Sequence, residues 1–131
     1  MFGGGGDDRV SGKNDDDTMY GGDGNDIMRG GGGNDRIDGG AGDDRIWGGA
    51  GGDTFAFTAG HDQIFDFDLR QDHLELDDAL WGGRLLQQDV LFLHGEVSAG
   101  SYTILSFDGG HSLTLHGVTD WTALAAQIDY I

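Results

Sequence analysis

A nine-residue period constrains this chain more than any other feature. Written in nines from Gly3 it reads GGGGDDRVS, GKNDDDTMY, GGDGNDIMR, GGGGNDRID, GGAGDDRIW, GGAGGDTFA and FTAGHDQIF, seven units over residues 3–65 with no insertion. The sixth position is aspartate every time: Asp8, Asp17, Asp26, Asp35, Asp44, Asp53 and Asp62. The eighth is always apolar: Val10, Met19, Met28, Ile37, Ile46, Phe55 and Ile64. With 37% apolar residues overall, seven matches in one slot would arise by chance roughly once in a thousand. A period this strict signals stacked repeats.

Each unit reads as a short strand and a tight turn. The x-U-x part, with U apolar, is long enough for three extended residues whose middle side chain faces inward. The six residues before it are rich in glycine, which accepts positive φ and close backbone approach. Two units complete one coil, so units n and n+2 stack and their U residues meet in a thin apolar interior. Outward positions carry Arg9, Arg36, Arg45, Thr18, Thr54 and Gln63, as a solvated face should. Tyr20, Ile27, Trp47 and Phe65 are outward exceptions, read as scattered surface hydrophobes or as packing beneath a cap, with a partner-binding stripe as the alternative.

Composition shows why such a stack needs help to form. Glycine fills 27 of 131 positions and the net charge is −17, a balance that by itself favours disorder. There is no cysteine, so the stabiliser is not a disulfide; bound metal is the usual substitute in a core-poor scaffold. So acidic a chain repels nucleic acid and anionic membranes, and no apolar run approaches the length of a membrane span. Its opening residues lack the basic start and apolar stretch of a secretory signal peptide.

Stacking n on n+2 brings Asp8 near Asp26, Asp17 near Asp35, Asp26 near Asp44, Asp35 near Asp53 and Asp44 near Asp62. Close carboxylates repel, and a hard dication between them reverses the sign. Calcium takes 6–8 oxygen ligands in a flexible shell, whereas magnesium prefers a stricter octahedron; without cysteine or clustered histidine, zinc and copper are poor fits. Five pairs predict up to five Ca2+ ions, and folding coupled to their binding. In the second unit Lys13 and Asp15 replace two glycines, so that turn is expected to be looser.

The pattern G-G-x-G-x-D-x-U-x resembles the calcium-binding repeat of the RTX (repeats-in-toxin) family. The resemblance implies an all-β fold: a parallel β-roll over residues 1–65, followed over 66–131 by a small β-rich cap with a short C-terminal helix and a type I secretion signal. It implies calcium ligands at the seven aspartates and at the turns of Gly3, Gly5, Gly21, Asp23, Gly30, Gly32, Gly39, Ala41, Gly48 and Ala50. The run Ile64-Phe65-Asp66-Phe67-Asp68, with Asp72-His73-Leu74-Glu75-Leu76 after it, resembles the segment closing the roll in secreted RTX proteases and lipases, where Asp66 and Asp68 would complete a last site. The tail Asp129-Tyr130-Ile131 resembles that of substrates of type I (ABC-transporter) secretion, the serralysin-like proteases in particular. Met1 and Phe2 fall on positions eight and nine of a preceding unit, so an upstream domain of the same polypeptide is expected.

Beyond Asp66 the register of nine fails. Strands are expected at 73–76, 90–93, 102–107 and 112–115, the last two flanking a hairpin turn at Asp108-Gly109-Gly110-His111. A helix is expected at 121–128, capped by Thr119 or Asp120, with Trp121, Leu124, Ala125 and Ile128 on one face.

No catalytic centre is expected. The five histidines, His61, His73, His94, His111 and His116, form no H-E-x-x-H, and no G-x-S-x-G is present. The reading is an extracellular calcium-dependent folding and export module for an upstream effector. The alternative is a calcium-dependent adhesion or glycan-binding module, with Trp47, Trp81 and Tyr20 available to stack on sugars. Ice binding would need one residue repeated on a flat face, and the outward positions are mixed.

Overall fold

The computed structural model describes residues 1–76, 102–107, 109–118 and 120–130. Strands β1 (Phe2–Gly5), β2 (Arg9–Lys13), β3 (Thr18–Asp23), β4 (Ile27–Gly32), β5 (Arg36–Ala41), β6 (Arg45–Ala50), β7 (Thr54–Phe57) and β8 (His61–Ile64) alternate between two sheets. They are followed by β9 (His73–Leu76), β10 (Tyr102–Ser106), β11 (Ser112–His116), helix α1 (Trp121–Ala125) and β12 (Ile128–Tyr130). The first sheet runs β1-β3-β5-β7-β9-β12, the second β10-β11-β8-β6-β4-β2. Among the described residues only the β10–β11 pair is antiparallel. This is the parallel β-roll the period implies.

Register follows the eighteen-residue coil. Met19 faces Ile37 and Ile37 faces Phe55 in the first sheet; Val10 faces Met28 and Met28 faces Ile46 in the second. All seven eighth-position residues are buried, Val10 the least so at 9% exposure at the open end. One apolar side chain per nine residues makes a single-file core, each burial worth about 1.5–3 kcal/mol. That is little support for so many ordered glycines.

The strands are longer than the x-U-x expectation. β3 to β6 each span six residues, taking in the first three positions of the next unit, and only positions four to six turn. The glycine-rich segment is drawn into the ladder because its neighbours above and below are identical: Gly22 pairs with Gly40 and Gly31 with Gly49.

The second unit is not loosened. Lys13 and Asp15 adopt φ of 83° and 75°, the left-handed values that glycine holds at the same positions elsewhere. A side chain fits there because β2 is an end strand. A β-carbon on Gly22 or Gly31 would stand 2.0 or 2.1 Å from a carbonyl oxygen of the coil beneath, whereas one on Gly4 or Gly6, in the outermost first unit, would meet nothing.

Neither sheet breaks at Phe65. After a turn at 66–72 the chain re-enters the first sheet one residue late: Thr54 pairs with His73 and Phe55 with Leu74. The expected hairpin is present as β10–β11, and β11 extends the second sheet on β8. Asp120 caps α1, its side chain accepting from the Ala123 N–H at 3.0 Å. The helix is shorter than expected. Ile128 leaves it to become strand β12, opposite Leu74, because β9 presents an edge to pair and three extended residues satisfy it. The expected strand at 90–93 and Trp81 lie outside the described residues.

Candidate metal centre

The sixth-position aspartates form a ladder along each edge of the roll. The N–H of Asp8 donates to Asp26 Oδ1 at 2.8 Å, and that of Asp26 to Asp44 Oδ1 at 2.8 Å; Asp44 continues to Asp62 at 3.0 Å. On the other edge Asp17 donates to Asp35 at 2.8 Å and Asp35 to Asp53 at 2.9 Å. All five expected pairs are thus brought together, through main chain to carboxylate. Asp26, Asp35, Asp44, Asp53 and Asp62 are at most 2% exposed.

In Asp26, Asp35, Asp44 and Asp53 one carboxylate oxygen is satisfied by the coil beneath and the other is not. Oδ2 of Asp8, Asp17, Asp26, Asp35, Asp44 and Asp53 is buried with no hydrogen-bond partner. An unpaired buried polar atom costs about 1–3 kcal/mol, more when charged. Other oxygens converge on the same places. A β-carbon on Gly21 would stand 2.3 Å from Asp26 Oδ2 and 2.3 Å from the Gly39 carbonyl oxygen; on Gly30, 2.2 Å from Asp35 Oδ2 and 2.5 Å from the Gly48 carbonyl. Gly3 and Gly12 repeat this with the carbonyls of Gly21 and Gly30. First-position glycine is therefore required by crowding, since any side chain would fill an oxygen-lined cradle.

The donor set fits calcium. It consists of unpartnered carboxylate oxygens with main-chain carbonyl oxygens beside them, the preference of a hard cation. Among the described residues no three His, Asp or Glu side chains converge, so an ion held here draws most of its ligands from main chain. The third-position carbonyls are partly engaged: Asp23, Ala41 and Ala50 accept from Gly6, Gly24 and Gly33 at 2.7, 2.9 and 3.0 Å. A carbonyl has a second lone pair, which stays free for a ligand.

Burial and mutual repulsion shift the protonation of these carboxylates upward. Burial raises the Asp62 carboxyl to about 8, with repulsion from Asp44 adding to it. Asp44 and Asp53 rise to about 6, again chiefly by burial. Asp35 is raised for the same reason.

The two columns end differently. Above Asp62 the paired position is Leu113, and the seventh unit has Phe57 where others have the cradle glycine. On the other edge the column gains a rung: the Asp53 N–H donates to Asp72 Oδ1 at 2.9 Å, and Asp72 Oδ2 accepts from the Asp68 N–H at 2.7 Å. Asp72 is 2% exposed. It was missing from the candidate ligands, although Asp72-His73-Leu74 restarts the D-x-U pattern one residue late. Asp66 and Asp68 hold the turn between β8 and β9. Asp66 accepts from Gly48 and Gly49, both at 2.9 Å. Asp68 takes the Arg70 main chain at 2.9 Å and its side chain at 3.2 Å, which holds its carboxyl below the usual value.

A second ladder, of fifth-position residues, also escaped the sequence reading. Asp7 Oδ1 accepts from the Asn25 N–H at 2.8 Å, Asn25 from Asp43 at 2.9 Å, and Asp43 from His61 at 3.1 Å. Asp16 and Asn34 do the same on the other edge. The signal was there: Asp or Asn occupies this position in each of the first five units.

The outward aromatics stack on one another. Phe65 lies between Trp47 and His116, both with ring centroids at 4.5 Å, and Arg29 covers the other face of the column at 5.1 Å from the Trp47 ring. Tyr20 stacks on Phe2. The ring faces that a sugar would need are largely used inside the column.

Comparison with known proteins agrees with this geometry. The family model of the RTX calcium-binding nonapeptide repeat, in four copies, matches residues 2–37 and 29–64. Among solved structures the AlgE6R3 subunit of the Azotobacter vinelandii mannuronan C5-epimerase is 32% identical with a TM-score of 0.74, over 97% of this chain and 80% of that one. The AlgE6R2 subunit of the same epimerase is 30% identical at 0.72, over 99% and 91%. The extracellular lipase LipA of Serratia marcescens is 26% identical at 0.74, over 96% of this chain but only 20% of the lipase. No curated protein matches. The chain belongs to the RTX family, as a calcium-binding repeat module folded into a β-roll.

Proposed function

We propose that the module folds on calcium outside the cell and so supports type I secretion and folding of an upstream effector domain. The observation carrying this is the row of six buried, unpartnered aspartate oxygens. Bound calcium supplies the positive charge that lets carboxylates of successive coils share an edge. Where calcium is scarce the acidic repeats repel one another and the chain stays expanded, fit to be threaded through the ABC exporter. Outside, Oδ2 of Asp8, Asp17, Asp26 and Asp35, with the first-position carbonyls of the coil above, would hold the ions at four repeated cradles. A fifth, at Asp44 and Asp62, keeps its cradle glycine, Gly39, but has Phe57 in place of the first-position glycine of the coil above. Asp72 extends the second edge at Asp53. Residues 66–131 cover the end of the roll and carry the export tail. We assign no catalytic role to this chain; the chemistry belongs to the upstream domain. No helix of the described residues is long and apolar enough to cross a membrane.

Circular dichroism during a calcium titration tests this. We expect little strand signal in chelator and a cooperative rise as calcium is added. Full strand signal in excess chelator would remove the coupling. The second reading, calcium-dependent adhesion or glycan binding, draws on one observation, the charge of the outer face of the second sheet.

A further inference from the structure

The cradles do not account for the ladder of fifth-position residues. Its bonds run against those of the sixth position. The N–H of Asn25 donates to Asp7 Oδ1 in the coil beneath, and the N–H of the next residue, Asp26, donates to Asp44 Oδ1 in the coil above, both at 2.8 Å. Side chains thus clasp each inner turn to both neighbours without metal. Asp7, Asp16, Asn25, Asn34 and Asp43 are exposed and lie beside the fourth-position glycine of the coil above. A β-carbon on Gly42 would stand 3.2 Å from Asn25 Oδ1, and one on Gly51 3.1 Å from Asn34 Oδ1. At the cradle glycines Gly21 and Gly30 the nearest atoms belong instead to sixth-position carboxylates and glycine carbonyls. As a clasp, asparagine and aspartate serve alike: Asn34 Oδ1 holds the Gly52 N–H at 2.8 Å, and Asp16 Oδ1 holds that of Asn34 at 2.7 Å. They differ in charge.

We infer that the fifth-position residues set the calcium affinity of the cradles beside them through their charge, from outside the ligand shell. This rests on the calcium reading of the five sixth-position pairs and names what tunes it. A dication brings two charges, whereas each further rung supplies one carboxylate and the carbonyl ligands supply none. Within residues 3–65, ions at the pairs Asp8–Asp26, Asp26–Asp44 and Asp44–Asp62 would bring six positive charges against four carboxylates. Asp7 and Asp43 make up the difference on that edge. Ions at Asp17–Asp35 and Asp35–Asp53 would bring four against three, and Asp16 supplies the fourth. Asn25 and Asn34 keep the clasp in the middle coils without adding charge. The reach of the fifth position is visible in the metal-free array. Burial is the chief cause raising the Asp44, Asp62 and Asp35 carboxyls, and repulsion from Asp43 adds to the first two, from Asp16 to the third. A unit charge ~8 Å from a dication in solvated surroundings changes its binding about threefold at low salt, and salt of about 0.5 M removes most of that.

The test titrates the whole chain with calcium in low and high sodium chloride, by calorimetry for affinity and circular dichroism for folding, each variant against the parent in the same salt. Asp43→Asn keeps the acceptor of the His61 N–H and should weaken calcium binding about threefold at low salt, with little difference from the parent at high salt. The exchange Asn25→Asp with Asp43→Asn keeps both acceptors and the charge of the edge, and should return affinity to within about twofold of the parent. Asn25→Ala removes the acceptor of the Asp43 N–H but no charge, and should weaken binding by the same factor in both salts. If Asp43→Asn fails to fold with calcium, Asp16→Asn makes the comparison on the other edge. No loss at low salt, a loss in Asp43→Asn that salt does not reduce, or no recovery in the exchange would overturn the inference. Calorimetry reads ion binding whether or not folding accompanies it. A parent chain with full strand signal in chelator would therefore sink the export and folding reading and leave this comparison intact.

Discussion

Asp35 holds two roles in one carboxylate. Its Oδ1 accepts the Asp17 N–H at 2.8 Å, while its Oδ2 is buried without a partner beside Gly30. Asparagine keeps the acceptor and removes the charge. Asp35→Asn should therefore act in opposite directions: without calcium the roll forms more readily, and with calcium the affinity falls by about tenfold, ~1.4 kcal/mol. Titration of the variant by calorimetry and circular dichroism reads both signs; no gain of strand signal in chelator would show that the charge is not what opposes folding. The sequence revealed which residue stands here through its invariance at position six. It did not reveal that one oxygen is spent on the coil below, because main-chain partners leave no mark on a pattern of side chains.

At the scale of one turn, the second unit is informative. Lys13 and Asp15 hold left-handed φ, a conformation costing L residues about 1–2 kcal/mol, less for Asp than for a long side chain. Lys13→Gly should stabilise the calcium-loaded roll by about 0.5–1 kcal/mol after the extra freedom of glycine in the unfolded chain is deducted. Denaturant unfolding at saturating calcium measures this, and Asp15→Gly should gain less. The strand pairings were legible to different degrees for physical reasons. Period nine fixed the inward residues because each must meet its equivalent eighteen positions on. The extension of strands through glycine was hidden, since a Gly-Gly pair favours turns until identical neighbours offer hydrogen bonds on both sides. Ile128 followed a helical spacing locally, and the exposed edge of β9 overrode it. Asp72 was obscured by a single added residue, which breaks a period but not a ladder.

For the molecule as a whole, the metal-free roll and the calcium-loaded roll should respond oppositely to acid. Asp44 and Asp53 titrate at about 6 and Asp62 at about 8 when folded without metal, against roughly 4 in an unfolded chain. The folded state thus binds more protons. This contribution to stability is fully present below pH ~4 and is lost as pH rises through 6 and then 8. In calcium-free buffer the strand signal should grow as pH is lowered from 8 to 5. With calcium present, protons compete for the same carboxylates, so affinity should fall over that interval. Parallel pH series followed by circular dichroism would show the two trends; the same slope in both would contradict the burial of these groups. The two ladders run head to tail along each edge, each rung bonded to the next. Such an arrangement behaves as a one-dimensional lattice with nearest-neighbour coupling. A defect in the middle coil severs it into two short, weak segments, while the same defect at the open end merely shortens it. The harm done by a substitution is then set as much by its distance from the ends as by its chemistry.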